Sequence, residues 1–215
     1  MSKHVLITGA TKGIGRACAE RFAAAGWAIT AVARTAEDLA ELAASLPANS
    51  ITTVEADLMT ADGVALVPDA QYDAIILNAA AFQPGPLLSG EEDAFTKLWA
   101  TNVTANHLLA RTRVPRMVQR GEGHLLTIGS LGTDFWPAHL TAYVATKYAL
   151  RGLFRGWQTE LAGTGVLTTL IAPGATLTSS WENETPPPDI LAPETVAEVV
   201  FRAVAEGTEG RVVVA

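Results

Sequence analysis

The chain has only one cysteine, Cys18, among its 215 residues, which excludes an internal disulfide. That cysteine lies in a helix-like stretch, where a small buried hydrophobe is its expected role. Long hydrophobic runs are absent too. The apolar start Val5-Leu6-Ile7 is interrupted by Thr8-Gly9, and no later run reaches membrane-spanning length, so neither a transmembrane helix nor a secretory signal is expected and a cytoplasmic location is. Positive charge is scarce. A net charge of −7 and a pI near 5.1 exclude nucleic acid or an anionic membrane as the main partner, so any bound anion must be held by local groups. There is no internal repeat. The one low-complexity stretch, Glu184-Thr185-Pro186-Pro187-Pro188-Asp189, cannot be helix interior and is expected to be an extended loop. Apolar residues, by contrast, are plentiful. At 49% of the sequence, with 17% charged, they suit one globular domain over residues 1–215 with a sizeable core.

Apolar runs of strand length alternate with helix-like segments along the whole sequence. This pattern predicts an α/β fold, a Rossmann-like doubly wound parallel sheet of about seven strands with helices on both faces. Strands are expected near 4–8, 27–33, 51–55, 73–78, 123–129, 166–171 and 210–214. Helices are expected near 13–25, 36–45, 60–67, 91–99, 101–119, 141–162 and 193–206. Pro115 should kink the fifth helix or mark its last turns.

Two local features carry chemistry. The run Thr8-Gly9-Ala10-Thr11-Lys12-Gly13-Ile14-Gly15 joins the first strand to the first helix, where glycines permit a tight turn and let backbone N–H groups approach a pyrophosphate at the helix N-terminus. On its own it is equally well read as a steric turn. The second feature is more specific: Tyr143 and Lys147 stand four apart in an alanine-rich helical stretch, so both leave the same helix face about one turn apart. A neighbouring ammonium is expected to lower the phenol's pKa and make it a usable general acid or base. Ser130 ends the fifth strand, precedes Tyr143 by 13 residues, and can fold back to bond a substrate oxygen.

With these residues in view, the chain resembles a short-chain dehydrogenase/reductase of the compact kind from Val5 to about Thr178. The family's T-G-x-x-x-G-x-G is present at Thr8 to Gly15, and its N-A-G element appears as Asn78-Ala79-Ala80. Its helix asparagine matches Asn102, its serine matches Ser130, its Y-x-x-x-K matches Tyr143 to Lys147, and its P-G-x-V-x-T appears as Pro173-Gly174-Ala175-Thr176-Leu177-Thr178. Two departures are visible. Ala80 replaces a glycine beside the adenosine ribose, and Thr176 replaces a valine that acts mainly through its backbone.

The resemblance implies hydride transfer between a nicotinamide cofactor and a small-molecule carbonyl or alcohol. Tyr143 exchanges the proton, Ser130 holds the oxygen, Lys147 binds the nicotinamide ribose, and Asn102 holds water leading to Lys147. A helix-start cap is the plainer role for Asn102. It further implies cofactor contacts from Gly9, Thr11, Lys12, Gly13, Ile14, Gly15, Asn78, Ala79, Ala80, Tyr143, Lys147, Pro173, Gly174, Thr176 and Thr178. Asp57 and Leu58 would meet the adenine, with a helix cap as the other role for Asp57 and Thr60 as its competitor.

The end of the second strand bears on which cofactor is used. Ala33 offers no carboxylate for a ribose 2′-OH, and Arg34 with Lys12 resembles the family's grip on a 2′-phosphate, so NADP(H) is expected over NAD(H). A solvated loop cation is the plainer account of Arg34. The substrate pocket is expected to draw on Phe82, Leu131, Phe135, Trp136, His139, Thr178 and Trp181, which suit a small apolar or aromatic ketone or aldehyde. Residues 177–192 resemble a shortened substrate loop, a short lid that implies an open pocket.

Helix 141–162 bears two apolar faces, one rich in Ala142, Ala145, Ala149, Gly152 and Gly156, the other in Leu150, Leu153, Phe154, Trp157 and Leu161. The first is expected to pair with the same helix of a second subunit in a homodimer or homotetramer. A nucleotide-sensing regulatory protein or a methyltransferase on a similar sheet would account for the glycine turn. Neither needs Ser130, Tyr143 and Lys147 together.

Overall fold

The computed structural model describes residues 2–85, 95–181 and 185–215. Seven parallel strands form one sheet: β1 (His4–Thr8), β2 (Ala28–Ala33), β3 (Ile51–Glu55), β4 (Ala74–Leu77), β5 (Gly123–Ile128), β6 (Val166–Pro173) and β7 (Gly210–Val214). Their spatial order is β3-β2-β1-β4-β5-β6-β7, so the chain works outward from β1 to one edge, returns, and continues from β4 to the other edge. The reversal between β1 and β4 opens a crevice at the C-terminal ends of the strands, where sheets of this kind bind ligands.

The five inner strands β1, β2, β4, β5 and β6 are rich in Val, Ile, Leu and Ala and buried on both faces, as a covered parallel sheet requires. On one face, α1 (Gly13–Ala24), α2 (Ala36–Ser45) and α7 (Pro193–Glu206) pack with Phe22, Leu42 and Val200 against Val5, Ile7 and Ile29. On the other, α3 (Ala61–Leu66), α5 (Ala105–Arg120) and α6 (Thr141–Glu160) pack with Val64, Leu109 and Leu150 against Leu6, Ile75 and Leu125. Burial of a Leu or Ile side chain is worth about 1.5–3 kcal/mol, so these two layers supply most of the drive to fold.

The expected elements agree with the structure to within a few residues, with one informative exception. α4 (Phe95–Trp99) runs through a π-helical turn, Ala100–Thr104, directly into α5. Asn102 therefore lies inside a continuous helix and does not cap the start of one. Residues 91–94 of the expected fourth helix lie outside the described residues. Pro115 sits inside α5 near its C-terminal end. Cys18 is fully buried, and desolvation pushes its thiol up to about 12, which leaves it inert.

Candidate active site

The glycine-rich turn is built around close approach. Gly9 and Gly13 adopt φ of +63° and +52°, and a Cβ on Gly15 would stand 2.0 Å from the Gly9 carbonyl oxygen, so larger residues are sterically barred there. Lys12 occupies the N-cap of α1 in extended conformation without a side-chain cap, and no acidic residue lies in the first turn. The first amides of a twelve-residue helix thus face the crevice with nothing from the helix's own cap to accept from them. An anionic group fits this cradle.

The neighbouring strand ends are fastened to that turn. Asn78 Nδ2 donates to the carbonyls of Thr8 (2.9 Å) and Gly9 (3.1 Å), while the N–H groups of Asn78 and Ala79 donate to Thr8 Oγ1 at 3.0 and 2.9 Å. Ala80 follows, exposed at the mouth of the crevice. Thr178 reaches the turn from beyond β6, so close that a Cβ on Gly13 would meet its Cγ2 at 2.7 Å. Gly174 N–H donates to Val214 O at 2.8 Å and the Thr176 hydroxyl to Gly174 O at 3.0 Å, which holds the chain after Pro173 over the same end of the sheet. Thr11 and Leu58 are buried, Ile14 is partly so, and Asp57 is exposed with its Oδ1 accepting from Met59 N–H at 3.0 Å. The cap of α3 is Thr60, whose hydroxyl accepts from Gly63 N–H, so Asp57 does not serve as that cap.

Arg34 is exposed and has no ion-pair or hydrogen-bond partner among the described residues. Lys12 is engaged: its Nζ lies 3.2 Å from Asp38 Oδ2 in the first turn of α2.

On the other side of the crevice, α6 presents Tyr143 and Lys147. Lys147 is only 3% exposed, its Nζ lies 5.6 Å from the centre of the Tyr143 ring, and it donates to Ile128 O at 3.0 Å. Desolvation pulls its ammonium down to about 8. Desolvation likewise drives the Tyr143 phenol up to about 12, against the lowering effect of a hydrogen bond with the Ser130 side chain. The phenol is not depressed as expected: desolvation raises it, and only the Ser130 side chain acts in the lowering direction. Ser130 Oγ accepts from Gly132 N–H at 3.0 Å.

Asn102 is fully buried with every side-chain hydrogen-bonding group used. Its Oδ1 accepts from Ala81 N–H (2.7 Å), and its Nδ2 donates to Ala81 O and Thr146 Oγ1 (both 3.0 Å). Thr146 in turn donates to Tyr143 O at 2.7 Å. The π-helical turn widens the backbone where Asn102 pins the segment after β4 to α6; such turns often mark functional sites. Among the described residues no direct hydrogen bond joins Asn102 to Lys147. Thr146, hidden between Tyr143 and Lys147, was not singled out by its spacing.

Of the expected pocket residues, Phe82 packs edge-on to Tyr143 with ring centres 4.9 Å apart. Leu131 approaches Gly174, the His139 carbonyl accepts from Gly85 N–H at 2.8 Å, and Trp181 Nε1 donates to Thr176 O at 3.0 Å. Trp136 turns outward instead, 74% exposed and stacked on Tyr148, and Phe135 is also exposed.

The family model for short chain dehydrogenases matches residues 3–189. The chain is 31% identical over 184 residues to a Streptomyces exfoliatus 1-deoxy-11-beta-hydroxypentalenate dehydrogenase, covering 80% of this chain and 67% of that protein. It is 30% identical to a Bos taurus dehydrogenase/reductase SDR family member 7B, of which it spans 57%. Among solved structures, a Sphingobium yanoikuyae short-chain dehydrogenase in complex with NADPH superposes with a TM-score of 0.89 at 30% identity, covering 98% of this chain and 87% of that one. A bulky-bulky ketone specific alcohol dehydrogenase from Comamonas testosteroni gives 0.86 at 27% identity, covering 98% and 85%. Sheet order, glycine turn and the family match agree: the chain belongs to the short-chain dehydrogenase/reductase family of oxidoreductases.

Proposed function

We propose that this protein is an NADP(H)-dependent oxidoreductase that interconverts a carbonyl and an alcohol, with Tyr143 as general acid and base. The observation that carries the reading is the Tyr143 phenol beside the buried Lys147, whose Nζ also donates to Ile128 O two residues before Ser130. When bound, the dinucleotide supplies or accepts the hydride. All other tasks fall to this chain. The uncapped N-terminus of α1 and the turn at Gly9, Thr11, Lys12, Gly13, Ile14 and Gly15 hold the pyrophosphate. Asn78, Ala79 and Ala80 line the adenosine ribose, Asp57 and Leu58 meet the adenine, and Pro173, Gly174, Thr176 and Thr178 close over the nicotinamide end.

In reduction, Tyr143 gives its phenolic proton to the carbonyl oxygen while Ser130 holds that oxygen, and Lys147 binds the nicotinamide ribose and stabilises the phenolate left behind. Burial alone holds the phenol protonated and makes it a weaker acid, so its proton transfer depends on stabilisation of the phenolate by the neighbouring Lys147 ammonium. Asn102 holds the wall of the site through Ala81 and Thr146. NADP(H) is favoured because Ala33 offers no carboxylate and the unpaired Arg34 is free for a 2′-phosphate. The NADPH complex of the Sphingobium relative is consistent with that choice. The apolar ring of Phe82 beside Tyr143 suits a small apolar or aromatic ketone or aldehyde. A homodimer or homotetramer built on α6 completes the proposal, since Gly152 and Gly156 are exposed there.

The test is oxidation of NADPH and of NADH by the purified protein over a panel of apolar, aromatic and acidic carbonyls. Turnover with NADPH on the apolar members supports the reading. Silence on the whole panel with both cofactors contradicts it.

A further inference from the structure

Three residues at successive turns of α6 each grip a different point of the chain that leaves β5. Tyr143 lies near enough to Ser130 for that side chain to act on its phenol, Lys147 Nζ donates to Ile128 O at 3.0 Å, and Arg151 Nη1 reaches Asp134 Oδ1 at 2.9 Å and Thr133 Oγ1 at 3.3 Å. The first two contacts belong to the site described above. The third continues the same helix face one turn further and has no part in the proposed chemistry. It is not an isolated surface pair, because the second oxygen of Asp134 accepts from Arg211 Nη2 on the edge strand β7. Arg211 Nε is buried without a partner of its own, so the carboxylate is the anchor of that guanidinium.

The route from this exposed carboxylate to the Ser130 hydroxyl is short and passes through the buried Thr133. Thr133 is 2% exposed, and both its N–H and its hydroxyl donate to Ser130 O, at 3.3 and 3.0 Å. Asp134 N–H donates to Leu131 O at 2.9 Å, closing the turn Leu131–Thr133. Ser130 thus starts a single tight turn whose far end is clamped between a helix and a strand. An exposed ion pair contributes little by itself, but a carboxylate shared by two guanidiniums from different elements restricts the geometry of what it holds.

We propose that Asp134, held between Arg151 and Arg211, is a positioning residue that sets Ser130 against Tyr143. The inference rests on the catalytic reading given above. It also makes Arg151 a member of the site by position, although it touches no reacting atom.

The experiment is a pair of substitutions read in two backgrounds. Asp134→Asn keeps the shape and removes the charge that gathers the two guanidiniums; it should lower kcat about tenfold and leave NADPH affinity unchanged, since misplacement of a catalytic group costs rate more than cofactor binding. In a Ser130→Ala background the same substitution should cost nothing further, because the group it positions is gone. Asp134→Glu, which keeps the charge, should recover part of the rate. An equal fold-loss in both backgrounds, a parallel loss of NADPH affinity, or no loss at all would overturn the proposal.

A second readout does not need turnover. In protein labelled at the tyrosine ζ-carbon, with the Tyr143 signal assigned through Tyr143→Phe, Ser130→Ala should shift that signal by removing the neighbouring hydroxyl. Asp134→Asn should shift it in the same direction, and should leave it unmoved when Ser130 is already alanine. A Tyr143 signal indifferent to Asp134→Asn contradicts the positioning role. If the wild-type protein reduces no carbonyl yet the signal responds as stated, the reaction assignment fails while the clamp stands.

Discussion

Lys12 Nζ stands 3.2 Å from Asp38 Oδ2, and so the cation expected to share a 2′-phosphate with Arg34 is held by a carboxylate from the first turn of α2. The pair is partly exposed, which limits its strength to about 0.2–1 kcal/mol. It is nevertheless placed to matter, because a 2′-phosphate must compete with Asp38 for Lys12 and bear its repulsion.

Two substitutions with opposite outcomes test the cofactor assignment. Arg34→Ala should weaken NADPH by roughly 1.5–3 kcal/mol, the value of a lost charge-assisted contact, and leave NADH nearly unchanged. Asp38→Asn should tighten NADPH by about 0.5–1 kcal/mol by freeing Lys12. Titration calorimetry with both cofactors measures each effect. Equal changes for NADPH and NADH would show that neither residue senses the 2′-phosphate.

Acid stability should depend on His124, which is buried in β5 with Nε2 against Thr169 Oγ1 at 2.7 Å. The Thr169 hydroxyl donates to Thr208 O, so the histidine is the donor and its bare Nδ1 is left without a partner. Burial pushes this imidazole down to about 4. Between pH 6.5 and 4 the unfolded chain therefore takes up a proton that the folded one refuses. Stability is full above 6.5 and falls by about 2–3 kcal/mol as the pH drops to about 4.5. His4 is also depressed by burial and adds in the same direction, but it is present in both proteins of the comparison. His124→Gln keeps a donor for Thr169 without a titrating ring, so urea denaturation at pH 7.5 and 4.5 should show a smaller difference than in the wild type. An unchanged difference would remove His124 from the account.

Assembly is tested on the outer face of α6. Leu150, Phe154 and Trp157 are buried in the core, while Ala145 and Ala149 are half-buried and Gly152 and Gly156 exposed, so the small-residue face is the one left for a partner. Ala149→Arg should split the oligomer, because an interface of alanines and glycines has neither room nor solvent for a charge. Light scattering of both proteins at micromolar concentration decides it. A wild type that runs as a monomer contradicts the proposal.

Much of this was legible in the sequence because it rests on local signals. Alternating apolar runs marked all seven strands, and the four-residue spacing of Tyr143 and Lys147 placed both on one face of α6. What escaped were relations between elements distant in sequence. At the π-helical turn the Asn102 side chain bonds Ala81 and Thr146, and no periodicity announces either the turn or those bonds. The pairing of Lys12 with Asp38 and the meeting of Arg151, Asp134 and Arg211 depend on three-dimensional proximity across a loop and a sheet edge. The phenol's direction of shift was misread for a related reason: spacing reveals the neighbouring cation but not the desolvation of the phenol.

The central claim is that Tyr143 carries the proton while the rest of the site holds the cofactor, and Tyr143→Phe tests it most directly, since the ring remains against Phe82 and only the hydroxyl is lost. The measurement is NADPH-linked reduction of an apolar ketone alongside NADPH affinity. The account predicts turnover lowered by about 10² or more with affinity essentially unchanged. Near-normal turnover in that variant would contradict it.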